Sequence, residues 1–178
     1  EEAEAAAARA LHAFTALVDL ARAESGLSQD AMEAVDLEHL LVDVAELFGP
    51  MLDESRQRLD LQLRSVPVVA HRQILLQALG NLLENAHKYA PPGSTIRLRV
   101  EVEAGTPVIT IEDQGPGIPV ELREQALSRF GRCEASGDRP GLGLGLAIAA
   151  AAARLHGGRL ELEDAGPGLR ARLFLKKL

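Results

Sequence analysis

The 178-residue chain has a single cysteine, no tryptophan, one tyrosine and four phenylalanines. The lone thiol, Cys133, excludes an internal disulfide and any metal site built from several thiolates, and it suits a reducing compartment. No apolar run is long enough to span a bilayer, and no signal peptide is visible. The net charge of −7 argues against nucleic acid as a partner, although it leaves room for a local basic site that binds phosphate.

The composition is that of a globular protein, with 47% hydrophobic and 25% charged residues. Aromatic residues make up only 3%, so the core has to be built from leucine, valine, isoleucine and alanine. Because Glu1 stands where an initiator methionine would be, we expect a fragment or a processed product. We divide the chain into an N-terminal helix at 1–26, a linker at 27–35 and an α/β unit at 36–178.

The hydrophobic spacing predicts the elements of each segment. The first helix has one apolar stripe. The stripe predicts packing on a partner helix, such as one from a second copy of the chain; the alternative is packing on its own domain. In the α/β unit, Asp36 is expected to cap a helix that Gly49-Pro50 can kink or interrupt. The predicted helices are 38–55, 71–89 and 147–156, and the predicted strands are 59–64, 95–102, 108–112, 159–163 and 170–175. Alternating strands joined by hairpins predict an α+β fold with a mixed, mostly antiparallel sheet and helices on one face.

The stretch NLLENAHKY places Asn81 and Asn85 on one helix face, followed by Lys88 and Tyr89. Asparagine is a poor residue for a helix interior, so two of them on one face require a reason. Carboxamide oxygens can ligate Mg²⁺, an ammonium group can screen phosphate charge, and a tyrosine ring can cover a flat base. The alternative is that both asparagines make local hydrogen bonds on a surface helix.

Two glycine-rich stretches follow. In DQGPGIP, Asp113 ends a buried-looking strand, and Gly115 and Gly117 would let a ligand approach the backbone, unless the stretch is an ordinary turn. In GLGLGLAIA, residues 141–149, three glycines lead into a helix whose first N–H groups would favour phosphate. The polar segment between them, 129–140, has the composition of a lid and carries Arg132, although a solvated loop is the alternative.

The order of these motifs resembles the ATP-binding catalytic domain of bacterial sensor histidine kinases. That domain belongs to the superfamily shared by gyrase-type topoisomerases, mismatch-repair ATPases and heat-shock chaperones of the ninety-kilodalton class. The resemblance runs from about Val35 to the C-terminus and implies a two-layer α/β sandwich, the Bergerat fold. Residues 1–26 resemble the end of the long dimerisation helix that precedes this domain in the family.

The resemblance implies ATP and Mg²⁺ as cofactors and gives each motif a role. Asn85 would hold the metal, with Asn81 beside it, while Lys88 and Arg132 would approach the phosphates. Asp113 would bind the adenine amino group. The implied nucleotide-binding residues are Tyr89, Asp113, Gly115, Gly117, Gly141, Gly143, Leu144 and Gly145.

The implied function is that of the catalytic part of a two-component sensor histidine kinase, which transfers the γ-phosphoryl group of ATP to a histidine outside this fragment. The implied partners are the phosphoacceptor domain of the parent kinase, a response regulator and a second copy through the N-terminal helix, but no nucleic acid. The implied location is cytoplasmic, and parent proteins in this family are commonly anchored in the inner membrane. His12 lacks the acidic neighbour of a phosphoacceptor histidine.

Two alternatives remain open. An ATP hydrolase of the topoisomerase type would have a glutamate where Asn81 stands, and a carboxamide cannot take a proton from water. A non-catalytic nucleotide-binding or dimerisation module is compatible with departures from the family pattern. These are His71 in place of the usual aspartate before the asparagine helix, Gly131 in place of an aromatic residue, and Leu142 in place of threonine or serine.

Overall fold

The computed structural model of this chain describes residues 32–128 and 144–176. The predicted N-terminal helix and most of the predicted linker lie outside these ranges. The elements in chain order are β1 (Glu33–Asp36), α1 (Leu37–Glu54), β2 (Arg58–Gln62), β3 (Pro67–Ala70), α2 (Arg72–Tyr89), β4 (Thr95–Glu103), β5 (Thr106–Glu112), a 3₁₀ turn (Val120–Leu122), α3 (Arg123–Ala126), α4 (Gly145–Leu155), β6 (Arg159–Asp164) and β7 (Leu169–Phe174). No helix within the described ranges is both long and apolar enough to cross a bilayer.

The main sheet has five strands in the order β2-β4-β5-β7-β6. Only β2 and β4 run parallel, while the other neighbours are antiparallel, which confirms the predicted mixed, mostly antiparallel sheet. A second, two-stranded sheet pairs β1 with β3. The sequence reasoning missed β1, because this strand of four residues buries only Val35 and shows no alternation. Residues 33–35 of the predicted linker are therefore paired with the α/β unit.

The helices cover one face of the main sheet, as predicted. Leu98, Ile109 and Leu173 are completely or almost completely buried, and they belong to the core that the helices complete. Along each strand the intervening side chains point away from this core. The result is a two-layer α/β arrangement with a single hydrophobic core.

The other face carries a row of alternating charges across all five strands. Asp60, Arg97, Glu112, Arg170 and Glu163 stand opposite one another in the register of the sheet. Glu112 accepts from Arg97 and from Arg170, both at 2.8 Å. Opposite charges on neighbouring strands stabilise the pairing, and they keep this face solvated.

Helix α1 begins where Asp36 accepts a hydrogen bond from the N–H of Glu38 at 2.8 Å. It continues through Pro50 without a break, so the predicted interruption does not occur. Gly80 in the middle of α2 gives α1 a close approach, because a Cβ there would lie 3.0 Å from Cζ of Phe48.

Helix α2 is held at both ends by side chains. At its start His71 is the N-cap, and its Nδ1 accepts from the N–H of Ile74 at 3.4 Å. At its end the buried Gln57 donates to the carbonyls of His87 and Ala90, at 3.1 and 3.0 Å. These bonds satisfy backbone groups that a helix end would otherwise leave without partners. They also fix the helix that carries both asparagines.

Candidate functional site

Two of the sequence motifs meet where α4 begins beside the middle of α2. A Cβ built on Gly145 would lie 3.6 Å from Oδ1 of Asn81 and 3.7 Å from Nδ2 of Asn85. Any side chain at this position would therefore fill space beside both carboxamides. Asn81 also donates to the carbonyl of Gln77 at 3.1 Å. Asn81 therefore makes the local hydrogen bond that the alternative interpretation expects, and it also lies close to the glycine motif.

The start of α4 offers backbone N–H groups to this space. Its N-cap residue, Leu144, has a buried side chain, and no side chain in the described part of the chain caps the helix. The carbonyl of Leu144 accepts from the N–H of Ile148 at 2.9 Å. Uncapped N–H groups at the positive end of a helix dipole favour an anion such as phosphate. The backbone of Leu144, and not its side chain, is therefore the part that can face a ligand.

Asp113 is the buried acid of the site, with 6% of its surface exposed. Its Oδ1 accepts from the N–H of Gly115 at 2.7 Å and from the N–H of Leu169 at 3.2 Å. Burial raises the pKa of the Asp113 carboxyl, and the two backbone hydrogen bonds oppose that shift. Among the described residues only Oδ1 accepts hydrogen bonds, which leaves Oδ2 able to accept from a ligand.

The two positions after Asp113 that carry glycine require it for different physical reasons. A Cβ on Gly115 would lie 2.9 Å from the carbonyl oxygen of Tyr89, so this loop packs directly on the end of α2. Gly117 has φ of +72° and faces the carbonyl of Gly168, which would be 2.9 Å from a Cβ at position 117. The first position is limited by space, and the second by space and by backbone conformation.

Lys88 and Tyr89 lie in the last turn of α2, next to the Asp113 loop. Nζ of Lys88 is 4.7 Å from the centroid of the Tyr89 ring, within the range of a cation–π contact. Both side chains are partly buried. Helix α2 thus brings the two asparagines, the lysine and the tyrosine along one path that ends at Asp113.

Three of the predicted site residues, Arg132, Gly141 and Gly143, lie outside the described residues, as do Gly131 and Leu142. No group of three His, Cys, Asp or Glu side chains comes together as a metal site within 32–128 and 144–176.

The structure adds a part of the site that sequence reasoning missed, the turn between β6 and β7. Two hydrogen bonds join the backbone of Leu169 to Asp113. The N–H of Leu169 donates to Oδ1 of Asp113, and the carbonyl of Leu169 accepts from the backbone N–H of Asp113 at 3.0 Å. Gly168 lies so close that a Cβ on it would be 1.9 Å from the carbonyl oxygen of Asp113. The only signal in the sequence was the turn composition AGPG, which predicted the hairpin but not its contact with Asp113.

Comparison with known proteins identifies the relatives of this arrangement. Residues 70–178 match the family described as histidine kinase-, DNA gyrase B- and HSP90-like ATPase. The signal transduction histidine-protein kinase/phosphatase MprB of Mycobacterium tuberculosis is 35% identical over 159 residues, which cover 85% of this chain and 30% of that protein. The chain therefore spans about a third of the length of such curated relatives.

Solved structures agree with this match. A mycobacterial sensor histidine kinase MprB structure superposes with a TM-score of 0.72 at 31% identity, covering 81% of this chain and 96% of that one. The ATP binding domain of PrrB from Mycobacterium tuberculosis superposes with a TM-score of 0.68 at 26% identity, covering 83% and 98%. These likenesses confirm the α+β fold class and the resemblance to histidine kinase catalytic domains.

Proposed function

The chain belongs to the histidine kinase-, DNA gyrase B- and HSP90-like ATPase family, and we propose that it is the catalytic, Mg-ATP-binding part of a two-component sensor histidine kinase. Its relatives are named histidine protein kinases, which are ATP-dependent phosphotransferases, and an ATPase domain binds ATP. The proposal adds Mg²⁺, the residue roles, and a reaction in which the γ-phosphoryl group passes to a histidine outside this chain.

The convergence of the motifs on α2 is the observation that carries the proposal. Gly145 lies against the Asn81 and Asn85 side of the helix, and Gly115 lies against its end at Tyr89. A phosphate site and a base site are therefore joined by one rigid element. Asp113, whose Oδ2 accepts no hydrogen bond from the described residues, supports recognition of the adenine amino group.

The donor set suits a magnesium nucleotide. Asn85 would supply a carboxamide oxygen, and the remaining magnesium ligands would be waters and phosphate oxygens, as this ion prefers. When bound, the ion supplies charge neutralisation for phosphoryl transfer. Lys88 and Arg132 would add positive charge near the phosphates, and the glycines at 141, 143 and 145 with Leu144 would present backbone N–H groups.

Asn81 supports transfer to an external nucleophile. A carboxamide has no basic group, so it cannot activate water by taking its proton. Glu84 is the nearest acid in the sequence, but it is exposed, whereas Asn81 and Asn85 are partly buried. An acceptor imidazole needs no base from this domain if its own nitrogen attacks.

The partners follow from the same proposal. The phosphoryl acceptor would be a dimerisation domain, of which residues 1–26 are the last part, joined by the linker 27–35 to the catalytic domain 36–178. A response regulator would then take the phosphoryl group. A second copy would pair through the N-terminal helix.

Nucleotide titration tests the binding half of the proposal. We expect a non-hydrolysable ATP analogue to bind the folded chain more tightly with Mg²⁺ than without it. Asn85→Ala should remove most of the dependence of the affinity on Mg²⁺. Asp113→Ala should weaken nucleotide binding both with and without Mg²⁺. Glu84→Gln, an exposed change on the same helix, is the matched control and should leave both affinities unchanged. Binding that none of these variants alters would overturn the proposed site.

Phosphotransfer tests the catalytic half. The chain is mixed with a dimerisation domain that carries a phosphoacceptor histidine, and with radiolabelled ATP. We expect acid-labile phosphate on the added domain and little release of inorganic phosphate in its absence. Rapid ATP hydrolysis without any acceptor would instead support the hydrolase alternative.

A further inference from the structure

The buried histidine His156 joins the end of α4 to the start of α2. Its Nε2 accepts from the backbone N–H of His71 at 3.0 Å, and its Nδ1 bonds the carbonyl oxygen of Ala152 at 2.7 Å. A backbone N–H can only donate and a carbonyl can only accept. The ring is therefore held in its neutral form with the proton on Nδ1. The side chain is only 5% exposed, which keeps water from replacing either partner.

Backbone geometry holds His156 in this place. The N–H of Gly158 bonds the carbonyl of Ala153 at 2.9 Å, and the N–H of Gly157 bonds that of Arg154 at 3.0 Å. This is the Schellman pattern, with Gly157 in the left-handed region at φ of +67°. The imidazole therefore leaves the helix end in one fixed direction, toward His71.

The interface between α4 and α2 has little else to fix its register. The buried residues of α4 are alanines, with the exception of Ile148. Small side chains allow a close approach, but they provide few protrusions that would resist sliding of one helix along the other. A directional hydrogen bond between buried groups resists such sliding, because any displacement leaves both partners unsatisfied.

The two ends of α4 are mechanically linked. Helix α4 has 11 residues and is therefore about 16 Å long. One end carries His156 on the start of α2, and the other carries Gly145 beside Asn81 and Asn85. The register that is set at the first contact decides the spacing at the second.

We propose that His156 is a positioning residue for the nucleotide site, and that its bond to His71 sets the register in which Gly145 meets Asn81 and Asn85. The nucleotide readout of this inference rests on the proposed function. The register itself does not, so it can be measured without nucleotide.

Acid should break the hydrogen bond between His156 and His71, because Nε2 of His156 can accept only while it carries no proton. A proton on Nε2 of His156 would place an N–H group against the N–H of His71. The His71 ring lies at the same junction, where its Nδ1 accepts from the N–H of Ile74. Burial, and secondarily the nearby His71, lower the pKa of His156. The other cationic residues at the junction are Arg154 on α4 and Lys176 after β7, whose N–H bonds the carbonyl of His156.

The test compares His156→Gln and His156→Leu with the wild-type chain between about pH 8 and pH 4.5, a range extended below the usual histidine range because burial lowers the pKa of His156. Glutamine offers an uncharged acceptor to His71, whereas leucine offers none. We measure the affinity for the magnesium-bound ATP analogue, and by NMR the backbone amide signals of Asn81 and Gly145 without nucleotide. Circular dichroism identifies the conditions in which each variant is folded, and the exposed His39→Gln is the matched control.

We expect the wild type to lose affinity as the pH falls through the lowered pKa of His156, while His156→Gln stays nearly constant. At pH 8, His156→Leu should bind about tenfold more weakly than the wild type, the effect of one lost buried hydrogen bond, and this difference should shrink as the wild type loses the same bond in acid. The amide signals of Asn81 and Gly145 should move with acid in the wild type and in His39→Gln, but not in His156→Gln.

Identical pH profiles in the wild type and His156→Gln would overturn the inference, as would unchanged Asn81 and Gly145 signals in a folded His156→Leu. If the leucine variant does not fold, the glutamine variant decides alone. If the wild type binds no nucleotide at any pH, the proposed function fails, and the amide signals still decide whether His156 sets the register.

Discussion

Replacing Gly168 by alanine is expected to disable the base end of the site from a position that no motif includes. Gly168 has φ of +112°, which an alanine adopts only with strain of about 1–3 kcal/mol. A Cβ there would lie 1.9 Å from the carbonyl oxygen of Asp113 and 3.0 Å from Cα of Gln114. Both neighbours are backbone atoms, so the turn between β6 and β7 has to move away as a whole.

That movement would break two hydrogen bonds. The N–H of Leu169 donates to Oδ1 of Asp113 at 3.2 Å, and the N–H of Asp113 donates to the carbonyl of Leu169 at 3.0 Å. A bond to a carboxylate contributes about 2 kcal/mol and a neutral one about 1 kcal/mol. With the strain included, Gly168→Ala should lower the free energy of unfolding by about 4–6 kcal/mol. Nucleotide affinity should fall with it, because Asp113 loses its orientation.

Gly166→Ala is the matched control in the same turn. Gly166 has φ of +58°, and no atom lies within 4 Å of a Cβ built on it. Its cost should be about 1 kcal/mol, the usual cost of the left-handed region for alanine. Denaturant unfolding gives the stability of both variants, and calorimetric titration with the ATP analogue gives their affinity. Equal stabilities and affinities in the two variants would refute the reasoning.

Three further changes test other contacts, each by denaturant unfolding. Gln57→Leu should cost about 2–3 kcal/mol, because the buried carbonyls of His87 and Ala90 lose their donor. Asp113→Asn should gain stability relative to the wild type as the pH rises from below 3.8 through the raised pKa of the folded carboxyl, since only the wild type must then bury a charge. Glu112→Gln should cost about 1 kcal/mol, and less at about 1 M salt, because its two arginine contacts on the sheet are weakened.

Each of these predictions has a result that contradicts it. Gln57→Glu is the comparison for the first, because it keeps the length of the side chain but also lacks the donor; a Gln57→Glu variant as stable as the wild type would show that the lost donor is not the cause. A constant difference between the wild type and Asp113→Asn across the acid range would mean that burial does not raise that pKa. A cost for Glu112→Gln that does not change with salt would exclude an electrostatic origin.

The α/β frame could be predicted from sequence because its signals are local. Alternation defined 95–102 and 108–112, which the structure extends by only one or two residues to β4 and β5. The cap at Asp36 is also local, and the structure confirms it. In contrast, β1 is defined by its pairing with β3, a contact over more than 30 residues that no local pattern reports.

The same division applies to the site. The residues on α2 and the loop after β5 were predicted from motifs, and the structure places Asn81, Asn85, Tyr89 and Asp113 along one path. The contacts that hold them are made by backbone atoms of Leu169 and by the side chains of Gln57 and His156. A buried glutamine in a short connection, or a turn glycine, has no pattern of its own.

His71 shows how a departure from a family pattern can be compatible with the fold. At the start of a helix, the charged carboxylate of an aspartate would accept a hydrogen bond from a backbone N–H. His71 accepts through a ring nitrogen instead, and its own N–H is taken by His156. Both functions of the position are thus fulfilled, the cap by the His71 ring and the docking of α4 by the His71 backbone N–H. The substitution therefore keeps α2 capped and leaves its first turn joined to the end of α4.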